Sequence, residues 1–240
     1  MEKSGTPFFL KPSQMKMTHT RKIRSVAEGL VSLIWTSANR TTYEILDPIK
    51  IPIYGGLMGY RIFIIHRDTE SELAAVKDLE TLRSFTVGQG IGWDDVDILR
   101  NAGFEVMTAQ YDSLFKMVER KRFKLFSRGV QEAYSELEVR KAENPTLDVD
   151  KYIGLHYPKA VFIYVRKGNW GLKQAITAGL EKAYEDGSFT QLFRSHLFIR
   201  RTLERANIAT RRWFELENPF LDKEDLDIIL KYSEKELSPK

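Results

Sequence analysis

There is no cysteine in these 240 residues. Disulfide frameworks, thiolate nucleophiles and zinc sites built on cysteine are thereby excluded. The four histidines, His19, His66, His156 and His196, are scattered through unrelated stretches. No two have the spacing that would set their rings on one helix face to hold a metal. Long apolar runs are missing too. The longest, "IFII" (62–65) and "AVFIYV" (160–165), fall far short of the roughly 20 residues of a membrane helix. They read as buried strands. The opening "MEKSGTPFFLKPS" has no apolar core followed by small residues, so no secretory signal is read there. A Gly-x-Ser-x-Gly nucleophile elbow is also absent. No residue set argues for catalysis, and none calls for a metal or cofactor.

What is present is ordinary for a soluble globular chain, 42% hydrophobic and 29% charged. The length allows one large or two small domains with a real core. A formal net charge of +4 tilts only mildly toward acidic partners and is read as a solvated basic surface. In "RRTLERANIATRRW" (200–213) the arginines spread around a helix instead of lining one stripe. That pattern carries no nucleic-acid motif. It is expected to pack on the first lobe through Leu203, Ile208 and Trp213.

Strands and helices alternate, which argues for α/β architecture with parallel sheets. Strands are expected at 31–35, 50–54, 60–67, 85–88, 105–109, 123–127 and 157–168. Helices are expected at 22–30, 93–102, 111–121, 129–142, 170–187 and 188–196, with a helix or turn-rich link at 69–82 and a helical tail beyond 197. The apolar strands 60–67 and 157–168 bracket a self-contained βαβαβα block, which implies two lobes joined by a two-stranded hinge.

The stretch "FTVGQGIGWDDVDILRNAGF" resembles a nucleotide loop but fails its test. Counted from Gly88, the place of the last fingerprint glycine is held by Trp93, too bulky for the close contact needed there. No Gly-Lys-Ser/Thr follows. What remains is a strand, a glycine turn and a helix start, a geometry that offers backbone N–H groups to a carboxylate or a phosphate, or that only makes a tight turn. Asp94 and Asp95 are explained by contact with the positive end of the helix.

The order "GLVSLIWTSANR", "IKIPIYGGLMGYRIFII", "FTVGQGIGWDDVDILRNAGFEV", "YDSLFKMVERKRFKLFSRG", "LHYPKAVFIYVRKGN" and "AITAGLEKAYEDGSFTQLFRSH" resembles the type-2 periplasmic solute-binding proteins. The likeness spans roughly 20–200 and is closest to the polar amino-acid binding components of ABC transporters. It implies two lobes closing on a small solute, each a mainly parallel sheet flanked by helices: lobe one at 1–62 and 163–240, lobe two at 63–162. By position, Arg40 would grip the solute carboxylate, with hydroxyl donors from Thr36 and Ser37. The Gln89-Gly90-Ile91-Gly92 turn would add backbone N–H groups. Trp93 and Trp35 are each either a wall of the cleft or part of the core.

Two departures qualify the resemblance. The family places an aspartate after the "FKLFS" strand to hold a ligand ammonium, whereas this chain reads Ser127-Arg128-Gly129. Arg128 then implies a solute with a second negative group, or an internal pair. Glu132 stands one turn further on. The family's first strand and helix are also lacking, with "MEKSG" resembling the end of that helix. This implies a shortened lobe one with unpaired strand edges, and self-association to cover the gap. The implied partners are a small-molecule ligand and a membrane permease or sensor, the implied location is extracytoplasmic, and the alternative left open is a sensor module or an enzyme on the same fold. Nucleic acid is not among the expected partners.

Overall fold

The computed structural model describes residues 2–14 and 17–233. Met1 of "MEKSG" and residues 234–240 of the expected tail lie outside the described residues. In chain order the elements are α1 (His19–Ala27), β1 (Leu33–Ser37), α2 (Arg40–Ile45), β2 (Leu46–Ile49) and β3 (Tyr60–His66). The central block holds α3 (Glu70–Ala74), α4 (Leu79–Arg83), β4 (Val87–Gly90), α5 (Asp94–Asn101), β5 (Val106–Ala109), α6 (Tyr111–Glu119), β6 (Leu125–Gly129) and α7 (Ala133–Arg140). Then come β7 (Leu147–Val149), β8 (Ile153–His156), β9 (Val161–Arg166), α8 (Trp170–Glu185), α9 (Ser188–Ser195), α10 (Leu197–Ala206), β10 (Arg212–Glu215) and α11 (Lys223–Tyr232). The chain divides into two compact units. Unit 1 is Met1–Gly56, Lys159–His196 and Phe220–Glu234, and unit 2 includes Leu57–Pro158 and Leu197–Pro219.

Unit 1 is built on a three-stranded sheet in the order β1-β9-β2. Both pairings are antiparallel, which corrects the expectation of a mainly parallel sheet in this lobe. The cause is topological: β1 and β2 run the same way, and β9 returns much later to fill the place between them. Alternation along β9 serves two cores. Phe162 and Tyr164 join Val26, Ile34, Leu46, Leu221 and Ile229 on one side. Val165 and Ile163 join Ile49, Leu172, Ile176 and Leu180 of β2 and α8 on the other.

The expected strand at 50–54 is not formed, because β2 ends at Ile49. Pro52 offers no N–H to a ladder. Its carbonyl instead accepts from the Tyr184 hydroxyl at 2.6 Å, and Lys50 turns toward α11, 3.0 Å from the buried Asp225 carboxylate. The Tyr43 hydroxyl also donates to Asp225, at 3.2 Å, pinning α11 to the sheet.

Unit 2 carries a seven-stranded sheet, β10-β8-β3-β6-β4-β5, with β7 pairing β3. Here the parallel expectation holds for the βαβαβ block: β4 runs parallel to both β5 and β6. β3 lies antiparallel to β6, β7 and β8, and all but its last residue are buried. The helical spacing of apolar residues places Leu114, Phe115 and Val118 of α6 and Val96, Ile98 and Leu99 of α5 inside.

The stretch 197–219, expected to pack on the first lobe, belongs to unit 2. Its "RWFE" is a strand, β10, parallel to β8. Gly154 leaves room for Trp213, since a Cβ there would meet the indole at 2.3 Å, and the Trp213 ring N–H donates to the Ile208 carbonyl at 2.7 Å. Arg211 is the deeper reason. Its guanidinium reaches the Asp150 carboxylate at 3.3 Å and donates to the carbonyls of Ile153 (3.0 Å) and Ala206 (2.6 Å). The side chains of Arg211 and Asp150 are both 0% exposed. The chain therefore passes between the units four times within the described residues, where two crossings were expected.

Removing one half of a fully buried pair leaves an uncompensated charge, at a cost of about 3–5 kcal/mol. Arg211→Met should lower the denaturant midpoint of unit 2 accordingly, as followed by far-UV circular dichroism. A loss below about 1 kcal/mol, the scale of an exposed pair, would contradict the burial of this bridge.

Candidate functional site

β4 and β6 run parallel, so their C-terminal ends, at Gly90 and Gly129, lie at one end of the sheet. That is the end where open α/β sheets take their ligands. The glycines of "GQGIG" divide into two kinds. Gly88 and Gly90 lie inside β4, which runs two residues beyond the expected end at Gly88 and so takes in Gly90. Each clears space for a ring: a Cβ at Gly88 would meet Phe123 at 2.1 Å, and one at Gly90 would meet the Trp93 indole at 2.2 Å. Gly92 is the turn glycine, with φ +76° and open space around it. Trp93 caps α5, and its N–H donates to the Gly90 carbonyl at 3.2 Å. The Ile91 N–H, expected among the donors offered to a solute, instead donates to the Ala109 carbonyl at 3.1 Å, while the Ile91 side chain is exposed. Gln89 is fully buried and donates from Nε2 to the Ser127 carbonyl at 3.2 Å.

Beside the turn is a recess of about 260 Å³, lined by Ile91, Gly92, Trp93, Val96 and Thr108 with the charged Asp94, Asp97 and Arg100.

Below the turn lies a cluster of buried charges. Arg61 of β3 donates from Nε to an Asp95 oxygen and to the Tyr157 hydroxyl, each at 2.9 Å. Its Nη2 and the Tyr157 hydroxyl also donate to Asp95. Arg61, Asp95 and Tyr157 are 3%, 4% and 0% exposed, so this is a core feature. Burial raises the Tyr157 phenol well above its ordinary pKa, and the Asp95 carboxylate adds to the rise although Arg61 opposes it. Glu132 closes the cluster. It accepts the Gly129 N–H at 3.0 Å and lies 3.2 Å from Arg128 Nη2 and 3.7 Å from Arg61 Nη1.

Arg128 was expected either to face a solute or to pair internally, and the structure has the internal pair. Arg128 is 6% exposed and bidentate to Glu136, with Nε and Nη2 on the two carboxylate oxygens at 2.7 and 2.6 Å. The cluster counts three carboxyl groups against two guanidiniums, so it presents no spare positive charge.

In unit 1 the candidates occupy one short segment. Trp35 of β1 is 62% exposed, which sets aside a core role. Thr36 and Ser37 are half-buried, and the Ser37 carbonyl accepts from the Tyr164 hydroxyl at 2.9 Å. Asn39 caps α2 by accepting the Thr41 N–H at 2.8 Å, which leaves Arg40 exposed as the first helical residue. The Asp225 N–H on the Asp222 carboxylate, helped by the charges of Lys50 and Arg40, holds Asp222 below the ordinary carboxylate range. The site candidates thus fall into two groups, Trp35, Thr36, Ser37 and Arg40 in unit 1 and Gln89, Gly90, Ile91, Gly92, Trp93 and Arg128 in unit 2.

Arg61, Tyr157 and Glu136 were not among the expected site residues, and Asp95, expected only to face the helix start, is instead the buried partner of Arg61. The available signal was Arg61 itself, a lone charge in the apolar run "YRIFII", because a buried guanidinium requires a buried acid. His156 lies 2.6 Å from Glu215 through Nδ1, with its ring against Tyr60. Among the described residues no group of three His, Asp or Glu side chains is placed to hold a metal ion, and no helix is long and apolar enough to cross a membrane.

No protein-family model and no curated protein sequence matches this chain. Solved structures do. An ancestral arginine-binding protein bound to glutamine aligns over 82% of this chain and 83% of its own, with a TM-score of 0.57 and 18% identity. The fold is that of the type-2 periplasmic binding proteins. An amino acid ABC transporter substrate-binding protein from Streptococcus pneumoniae, bound to L-arginine, shares it at TM-score 0.54 and 16% identity, over 80% of this chain and 77% of that one. So does an ancestral amino acid-binding protein described as a precursor of cyclohexadienyl dehydratase, at TM-score 0.52 and 14% identity, over 75% and 74% of the two chains. The α/β class read from the alternation of elements is the class of this periplasmic-binding fold.

Glu132 gives the site a pH signature. Burial opposes its ionisation, but the guanidiniums of Arg128 and Arg61 outweigh this and lower its pKa in the fold. A lowered folded pKa means stability that is complete above the ordinary value of 4.5 and lost as pH falls through the folded one. Melting temperatures should drop below pH 4.5 in the native chain, with a shallower drop in Glu132→Gln. Equal acid slopes in the two proteins would rule out this contribution.

Proposed function

We propose that this chain is a non-catalytic binding protein for a small amino-acid-like solute, serving uptake through a membrane permease or signalling to a sensor protein outside the cytoplasm. The observation that carries the reading is the Gln89–Trp93 turn: a strand end, a left-handed Gly92 and a helix start at the ligand end of a parallel sheet. Three relatives in fold that bind or transport amino acids support it.

The anionic group of the solute is taken to be a single carboxylate, held by Arg40 with the hydroxyls of Thr36 and Ser37. A second acidic group finds no support in unit 2, because Glu136 and Glu132 already balance Arg128. Ligand would shift the conformational balance only by its differential affinity for the form it prefers.

Thermal unfolding across amino acids, dicarboxylates and other small anions tests the reading. A compound at a hundred times its Kd should add roughly 2.7 kcal/mol, a rise of several degrees in Tm. The rise should vanish in Arg40→Ala. A cooperative melt that no compound moves, or a rise untouched by Arg40→Ala, would overturn the assignment.

A further inference from the structure

Arg128 is enclosed more fully than an ion pair requires. Its guanidinium carbon lies 4.5 Å from the centroid of the Trp93 ring, 5.5 Å from that of Phe126 and 5.7 Å from that of Tyr111. All three are within the range of a cation–π contact, which strengthens when water is excluded. Its edge is held by the two oxygens of Glu136, which fixes the plane of the guanidinium as well as its place. The Trp93 indole, for its part, lies where a Cβ on Gly90 would be, on the last residue of β4. Glu136 thus orients Arg128, Arg128 faces the indole, and the indole lies on Gly90.

We propose that Arg128 is a positioning residue rather than a solute contact. Clamped by Glu136, it holds the Trp93 indole against Gly90 and so sets the shape of the Gln89–Trp93 turn. The inference rests on the turn being the solute-facing part of unit 2, and it makes Glu136, on α7 and outside the turn, a determinant of binding. Charge alone does not serve this role. Lysine keeps the charge but loses the planar fork and the flat face that matches the ring.

The test is fluorine NMR of protein labelled with 5-fluorotryptophan, which gives one resonance for each of Trp35, Trp93, Trp170 and Trp213. The Trp93 line is assigned by its absence in Trp93→Phe. In Glu136→Gln and in Arg128→Lys the Trp93 resonance should move or broaden while the other three stay in place. Glu138→Gln, which loses only an exposed pair to Arg205, should leave all four unmoved. Titration with L-arginine and L-glutamine then reads the consequence, with an expected affinity loss of at least about tenfold in Glu136→Gln for whichever solute the native chain binds, the scale of one lost charge-assisted contact.

A Trp93 line unmoved in both variants would overturn the clamp. So would equal movement of all four lines, which would mean a general loosening. The fluorine readout needs no solute. Failure of both amino acids to bind would therefore count against the proposed solutes and leave the clamp to be decided by the spectra.

Discussion

The ion pair between Arg61 and Asp95 is the constraint around which unit 2 is arranged. Two charges taken out of water cost several kcal/mol each unless every remaining donor and acceptor is answered. Arg61 cannot be answered from its own strand, where its neighbours are Tyr60 and Ile62. It donates hydrogen bonds to Asp95 at the start of α5 and to Tyr157 just past β8, and it brings the charge of Glu132, beside the start of α7, to 3.7 Å from Nη1. Three segments far apart in sequence are thus committed to one point. Asp95 is also the second residue of α5, so the pair fixes where that helix begins and leaves the preceding turn little freedom in length or direction.

The same arrangement decides what the turn can offer. A helix start normally carries an excess of positive charge from its free N–H groups. Here Asp94, Asp95 and Asp97 occupy the first turn of α5, and the nearby guanidiniums are matched by carboxylates. In the function proposed above, a solute would therefore meet unit 2 through shape and individual hydrogen bonds rather than through net charge. The one exposed guanidinium among the candidates is Arg40, in unit 1.

Much of this was readable from the residues, and the misreadings have physical causes. The helices α5 and α6 were placed within a residue or two because their apolar spacing is regular. β4 and β6 were both set two residues early; for β4 the reason is that Gly90 looks like a loop residue when the indole that fills its space cannot be seen. The turn was legible as a turn. Its support was not, because the partners of Arg61 and Arg128 come from other elements and no local pattern announces them. The tail at 197–219 misled for the same reason. "RRTLERANIATRRW" has helical texture, and only the long-range pairing of Arg211 with Asp150 and of β10 with β8 turns its end into a strand.

That last pairing sets an order on the birth of the molecule. Residues 57–158 contain six of the seven strands of the larger sheet and can collapse as they emerge during synthesis. Asp150 is then already placed for burial, but its countercharge lies 61 residues downstream. Until Arg211 arrives, the nascent unit must keep this acid wet or protonated, and β8 keeps an open edge. Between those two moments the chain makes all of β9, α8 and α9, which belong to the other unit. Completion of unit 2 thus waits on synthesis of the middle segment of unit 1, Lys159–His196, so the two are separate as compact bodies but not as folding events.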